Sequence, residues 1–228
     1  MNKTGILFMI GLTAFLAGCG NNGNTASGTK SPNVDTSQTT PPITATKTIL
    51  FFGNSLTAGY GVDPTQAFPA LIQQKIDSLR LPYKVINGGV SGETSADGNQ
   101  RIDFVLKQQA IDVFVLELGA NDGLRGVPLA ETRKNLQSIV DKVKAKYPNA
   151  KLVLAGMQIP PNMGQAYASD FKKIFPELAQ KNNMILVPFL LAGVGGEARL
   201  NQQDGIHPTA EGHQIVAENV WKELKGVL

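Results

Sequence analysis

The stretch Val113-Phe114-Val115-Leu116-Glu117-Leu118-Gly119-Ala120-Asn121-Asp122-Gly123 decides how the chain is read. An apolar run of strand length that opens into a polar, glycine-containing turn suits a strand covered on both faces, as in a parallel sheet. Runs of this kind recur, with candidate strands at Thr48–Phe52, Lys84–Ile86, Val113–Leu118, Leu152–Met157 and Ile185–Phe189. Amphipathic segments of helix length lie between and after them, near Ala67–Leu79, Ala96–Gln109, Leu129–Lys146, Tyr167–Lys181 and Thr209–Lys225. Strands alternating with crossover helices predict a doubly wound α/β domain over residues 47–228, a three-layer α/β/α sandwich around a five-stranded parallel sheet. Sites in such sheets form beyond the carboxyl ends of the strands, so the loops there are where chemistry is sought.

The composition is that of a globular chain: 228 residues, 42% hydrophobic, 17% charged, with 24 Gly. A formal charge of +3 from 21 basic and 18 acidic residues is a small surplus. No basic stripe with interleaved aromatics accompanies it, which argues against a nucleic-acid partner. One Cys excludes an internal disulfide, and one Cys with two His excludes zinc sites built from those residues. A hard-cation site made of carboxylates stays open although no acidic loop has the spacing for one, and the counts point to a domain working by non-metal chemistry or by binding.

Residues 1–18 read as a leader. Met1-Asn2-Lys3 is mildly basic, and Ile6 to Ala17 is apolar but too short to span a bilayer. Leu16-Ala17-Gly18-Cys19 resembles the bacterial lipobox, which implies diacylglyceryl transfer to the Cys19 sulfur and cleavage before it. A plain secretory signal is the alternative. Residues 19–46, rich in Asn, Ser, Thr, Gly and Pro, are expected to form a disordered tether with a reach of roughly 30 Å. The expected location is the bacterial cell envelope, with the domain held to a membrane by the lipid at Cys19.

Four loops carry the polar and glycine residues. Gly53-Asn54-Ser55-Leu56-Thr57-Ala58-Gly59-Tyr60-Gly61 follows the first strand, and a Ser in such a turn is a cap as readily as a nucleophile. Asn87-Gly88-Gly89-Val90-Ser91-Gly92-Glu93-Thr94 has glycines that either expose backbone N–H groups or permit a tight turn. Gly119-Ala120-Asn121-Asp122-Gly123 is compatible with ordinary turn chemistry. Asp204-Gly205-Ile206-His207-Pro208 places a carboxylate three residues before an imidazole. Of the two His, His213 lies in Ala210-Glu211-Gly212-His213-Gln214, which reads as helix surface, so His207 is the candidate base.

Taken together and in order, GNSLTAGYG, VSGET, GAND and DGIHP resemble the SGNH/GDSL hydrolase superfamily over Lys47 to Leu228. The likeness is to the bacterial thioesterase I, lysophospholipase and arylesterase group. It implies a flavodoxin-like fold and a serine esterase that needs no cofactor. Its substrates would be short- or medium-chain acyl or aryl esters, thioesters and lysophospholipids. It also implies Ser55 as nucleophile, His207 as base, Asp204 as the residue orienting His207, and an oxyanion hole from the N–H groups of Ser55 and Gly92 with the Asn121 amide. Met157-Gln158-Ile159-Pro160-Pro161-Asn162 looks like that group's substrate-side loop. An added side chain at Gly92 is expected to obstruct the approaching carbonyl.

One position departs from the pattern. The family block usually reads Gly-Asp-Ser, and here Asn54 replaces the Asp. The triad Asp lies elsewhere, so the change bears on hydrogen bonding beside the nucleophile. A carbohydrate O-acetyl esterase is the runner-up among enzymes, although the single Trp, Trp221, reads as core. A non-catalytic binding lipoprotein is the alternative from another class. Gly193-Val194-Gly195-Gly196 comes too late in the chain to open a dinucleotide-binding βαβ unit. The oligomeric state is not encoded in any motif.

Overall fold

The structure, a computed structural model, describes residues 45–160 and 164–228. The expected leader, Cys19 and the tether as far as residue 44 lie outside the described residues, as do Pro161, Asn162 and Met163.

Five strands form one parallel sheet: β1 (Lys47–Gly53), β2 (Tyr83–Gly89), β3 (Val113–Glu117), β4 (Lys151–Ala155) and β5 (Ile185–Val187). Their spatial order is β2-β1-β3-β4-β5. The helices are α1 (Ser55–Ala58), α2 (Phe68–Ser78), α3 (Ser95–Val105), α4 (Ala120–Leu124), α5 (Leu129–Lys146), α6 (Gln165–Asn182) and α7 (Ala210–Leu224). Helices α3, α5 and α6 pack side by side as one layer, while α2 packs on α7. The expected sandwich is therefore the observed one.

Burial explains why the central strands are apolar throughout. Ile49 to Phe52 in β1 and all of β3 are buried, because helices cover both faces of the sheet. Chain direction across the sheet reverses after β2: the next strand, β3, is laid on the far side of β1. The switch point therefore lies between β1 and β3, and the loops leaving these strands flank one crevice.

Several boundaries differ from the sequence expectation. β2 runs on past Ile86 to Gly89, because parallel pairing continues through Asn87↔Phe51, Gly88↔Phe52 and Gly89↔Gly53. Asn-Gly-Gly, read as loop, is thus strand. β5 stops at Val187, where Pro188 has no N–H to continue a ladder. β4 ends at Ala155, and α3 ends at Val105, short of Gln109. His213 is buried, contrary to the helix-surface reading. Its ring stacks on Phe68, 6.3 Å between centroids, at the contact between α7 and α2. Trp221 is partly buried and packs against the core, as expected.

Candidate active site

The turn that carries Ser55 starts where β1 leaves the sheet. Asn54 caps α1, its side-chain oxygen accepting from the Leu56 N–H at 3.0 Å, and Ser55 is the first helical residue. Gly53 is required by close approach: a Cβ there would lie 2.2 Å from Thr57 Oγ1 and 2.6 Å from Glu117 Oε2. Ser55 itself is 8% exposed, enough to face a cavity while its neighbours are locked.

The Asp204–Pro208 loop folds back on itself. Asp204 Oδ1 accepts from the N–H groups of Ile206 and His207, both at 3.0 Å. Asp204 Oδ2 faces His207 Nδ1 at 2.7 Å, and His207 Nε2 stands 2.9 Å from Ser55 Oγ. A carboxylate only accepts, so Nδ1 carries the ring proton and Nε2 is left to accept from the serine hydroxyl. The hydrogen bond to His207, with the two backbone donors, holds the Asp204 carboxyl down at about 2. The half-exposed Tyr60 ring covers the imidazole, 4.7 Å between centroids.

The other two loops converge on the same place. Asn121, at the start of α4, donates from Nδ2 to the Glu93 carbonyl at 2.9 Å, leaving its second N–H free to turn elsewhere. Glu93 is gripped by Arg101 through both carboxylate oxygens, and Arg125 donates to the Gly92 carbonyl at 3.0 Å. At Gly92 the backbone has φ of +84°, a left-handed value that favours glycine, and a Cβ there would meet no atom of the other described residues beyond its chain neighbours within 4 Å. Backbone conformation is thus the constraint that the protein itself places on this position.

Ser55, Asn121 and His207 line one pocket of about 390 Å³. Its remaining walls are largely apolar, including Leu124, Met157, Ile159, Phe189, Leu191 and Ile206, with Gly195 and Gly196 among them. Asp204 sits behind His207 and, like Gly92, is not part of that lining. The glycine run at 193–196, set aside as a nucleotide motif, contributes pocket wall.

Four positioning groups escaped the sequence reading. Gln202 Nε2 donates to the carbonyls of Tyr60, at 2.7 Å, and Pro208, at 3.0 Å, tying the Ser55 loop to the His207 loop. Asp122 is buried and accepts from the Ser95 N–H at 2.8 Å and from the Ser95 hydroxyl, fastening α4 to the start of α3. Tyr60 covers His207. Glu117 is wholly buried beneath the turn that carries Ser55, and burial pushes its carboxyl up to about 7. A carboxylate at the end of a fully apolar strand was the one signal available for Glu117.

The model for the GDSL-like lipase/acylhydrolase family matches residues 51–215. This chain belongs to that family. Esterase TesA of Pseudomonas aeruginosa is 40% identical to this acylhydrolase over 184 residues, 81% of this chain and 90% of the relative. Thioesterase 1/protease 1/lysophospholipase L1 of Escherichia coli K12 is 36% identical, over 79% of this chain and 85% of its own length. The crystal structure of TesA superposes on the acylhydrolase domain with a TM-score of 0.76, covering 80% of this chain and all of the other.

Proposed function

We propose that the protein hydrolyses carboxylic esters by a Ser-His-Asp mechanism through an acyl-enzyme, with short- or medium-chain acyl or aryl esters, thioesters and lysophospholipids as the substrate class. The observation that carries this reading is the continuous chain of contacts from Asp204 Oδ2 through His207 to Ser55 Oγ, at 2.7 and 2.9 Å, opening into an apolar pocket. The ester-hydrolase class rests on family membership, and the names of the relatives support the range of esters.

In this mechanism His207 Nε2 takes the Ser55 hydroxyl proton as Oγ bonds to the ester carbonyl carbon. The carbonyl π electrons move to oxygen, which is met by the N–H groups of Ser55 and Gly92 and the free N–H of Asn121. Collapse breaks the acyl–oxygen bond, or the acyl–sulfur bond of a thioester. His207 returns its proton to the leaving alkoxide or thiolate. A water molecule, deprotonated by His207 in turn, releases the acid and restores Ser55. Throughout, Asp204 holds the ring in the required tautomer and stabilises the imidazolium.

The apolar walls favour an acyl chain over a sugar. Each buried methylene contributes about 0.8 kcal/mol, so kcat/KM should climb about fourfold per added carbon until the pocket is full. The envelope location and the lipid at Cys19 are part of the proposal and rest on the Leu-Ala-Gly-Cys sequence. A membrane-tethered esterase meets lysophospholipid more readily than cytoplasmic thioesters. The test is hydrolysis of p-nitrophenyl esters of rising chain length by the domain from about Lys47, beside Ser55→Ala. Activity abolished in the variant is the expected result; a fully active Ser55→Ala protein refutes the mechanism.

A further inference from the structure

Glu117 has no part in the mechanism above, yet it lies directly under the nucleophile. It ends β3 opposite Gly53 in the register of β1 and is fully buried. Its Oε2 accepts from the Asn54 backbone N–H at 3.1 Å and from Thr57 Oγ1 at 2.9 Å, and its Oε1 accepts from Asn54 Nδ2 at 2.9 Å. All of these donors belong to the two residues that bracket Ser55 and Leu56. Among the described residues its side-chain hydrogen bonds are to Asn54 and Thr57, and it takes part in no salt bridge.

A buried carboxylate without a counter-charge is an expensive way to fill a core position, and removing its charge would relieve that cost. What it accomplishes here is grip. The Asn54 side chain offers Nδ2 to Glu117 and Oδ1 to the Leu56 N–H, so the carboxylate settles which way that amide faces. With Thr57 held as well, the turn is pinned on either side of Ser55.

We propose that Glu117 is a positioning residue: by clamping Asn54 and Thr57 from beneath, its carboxylate sets where the Ser55 hydroxyl and N–H stand. The proposal rests on Ser55 being the nucleophile. It also accounts for Asn at position 54. With Asn there the pair needs no shared proton, whereas an Asp would set two carboxyl groups face to face with one proton between them.

The hydrogen bond between positions 54 and 117 can be reversed, and that is the test. In Glu117→Gln the new side chain has one oxygen and one NH2. Whichever way it turns, the NH2 meets a donor, either Asn54 Nδ2 or the Asn54 N–H with Thr57. In Asn54→Asp/Glu117→Gln the NH2 instead donates to the introduced carboxylate, while the oxygen keeps the backbone N–H and the hydroxyl. In Asn54→Asp alone Glu117 takes up a proton and does the same. Kinetics on a p-nitrophenyl ester at pH 8.5, with melting curves, should show kcat for Glu117→Gln reduced at least tenfold and KM within about twofold. The double variant should recover to within about threefold of wild type, and Asn54→Asp should stay within about tenfold.

A Glu117→Gln protein with full kcat overturns the proposal, as does a loss confined to KM. So does a folded double variant no better than Glu117→Gln. Should Glu117→Gln fail to fold, the double variant must restore both fold and turnover, and its failure in either respect overturns the idea. Ser55→Ala, assayed in parallel, separates the two claims. If it stays active the nucleophile reading fails; if it is dead while Glu117→Gln is unimpaired, only the role of Glu117 fails.

Discussion

Replacing Asp204 by Asn should be more damaging than its small change in shape suggests, because the loop dictates how the new amide must sit. The N–H groups of Ile206 and His207 both point at Oδ1. They will hold the amide oxygen there, which turns the NH2 toward His207 Nδ1. That nitrogen must then accept, the ring proton moves to Nε2, and Nε2 becomes a donor to the Ser55 hydroxyl whose proton it should remove. The wrong-tautomer penalty in triads is about 10⁴ in kcat, or about 5.5 kcal/mol. Asp204→Ala frees the ring to choose its tautomer, and a water can accept from Nδ1 because the Asp204 side chain is 39% exposed. The Ala variant should therefore be about tenfold more active than the Asn variant. The assay is kcat/KM on p-nitrophenyl butyrate, with the rate of fluorophosphonate labelling of Ser55 as a second reading of nucleophilicity. Both should fall together while melting temperatures change little. An Asn variant within tenfold of wild type, or clearly better than the Ala variant, would refute the tautomer argument.

Asn121→Ala should lower kcat about 10²- to 10³-fold, or about 2.7–4 kcal/mol, with little change in KM, if the free amide N–H meets the oxyanion. Steady-state kinetics on the same ester decides it, and a loss confined to KM would place Asn121 in ground-state binding. His213 should make the fold acid-sensitive. Burial and the neighbouring His207 depress its pKa from 6.5 to about 4. The folded protein thus binds fewer protons between these values. Its share of stability is complete above about pH 6.5 and is lost as pH falls toward 4, on the order of 3 kcal/mol. Glu117 contributes the opposite slope. Its folded pKa is raised to about 7, so its share is complete below about 4.5 and lost as pH rises to 7. Urea unfolding of wild type and His213→Gln at pH 7.5 and 4.5 isolates the histidine, since Glu117 is common to both. An equal drop in the two proteins would count against it.

The parts of the site that were legible in the sequence are those whose residue type and spacing carry the chemistry. Asp204 and His207 are three apart because one turn sets the carboxylate against the ring, and that spacing is visible as letters. β3 is legible because burial on both faces leaves no polar position in Val113–Leu116. Glu117 was not legible, since a carboxylate after an apolar run reads as the end of a strand. Only the register Gly53↔Glu117 turns it back under Ser55. His213 was misread because Glu211 and Gln214 beside it are polar. Its burial comes from Phe68 on a helix 145 residues earlier. Asn87-Gly88-Gly89 looked like a turn, and strand pairing with β1 overrode that local preference.

The Ser55–His207 contact joins the first loop of the domain to the last, across 152 residues. Neither half of the chain holds both partners, and four of the five strands, β2 to β5, are laid down between them. As the chain is synthesised from its amino end, Ser55 is made long before His207. On the proposed mechanism, ester turnover therefore begins only when the whole sheet has closed. Activity in this architecture is a readout of complete folding, so loss of turnover and loss of structure in urea should share one midpoint.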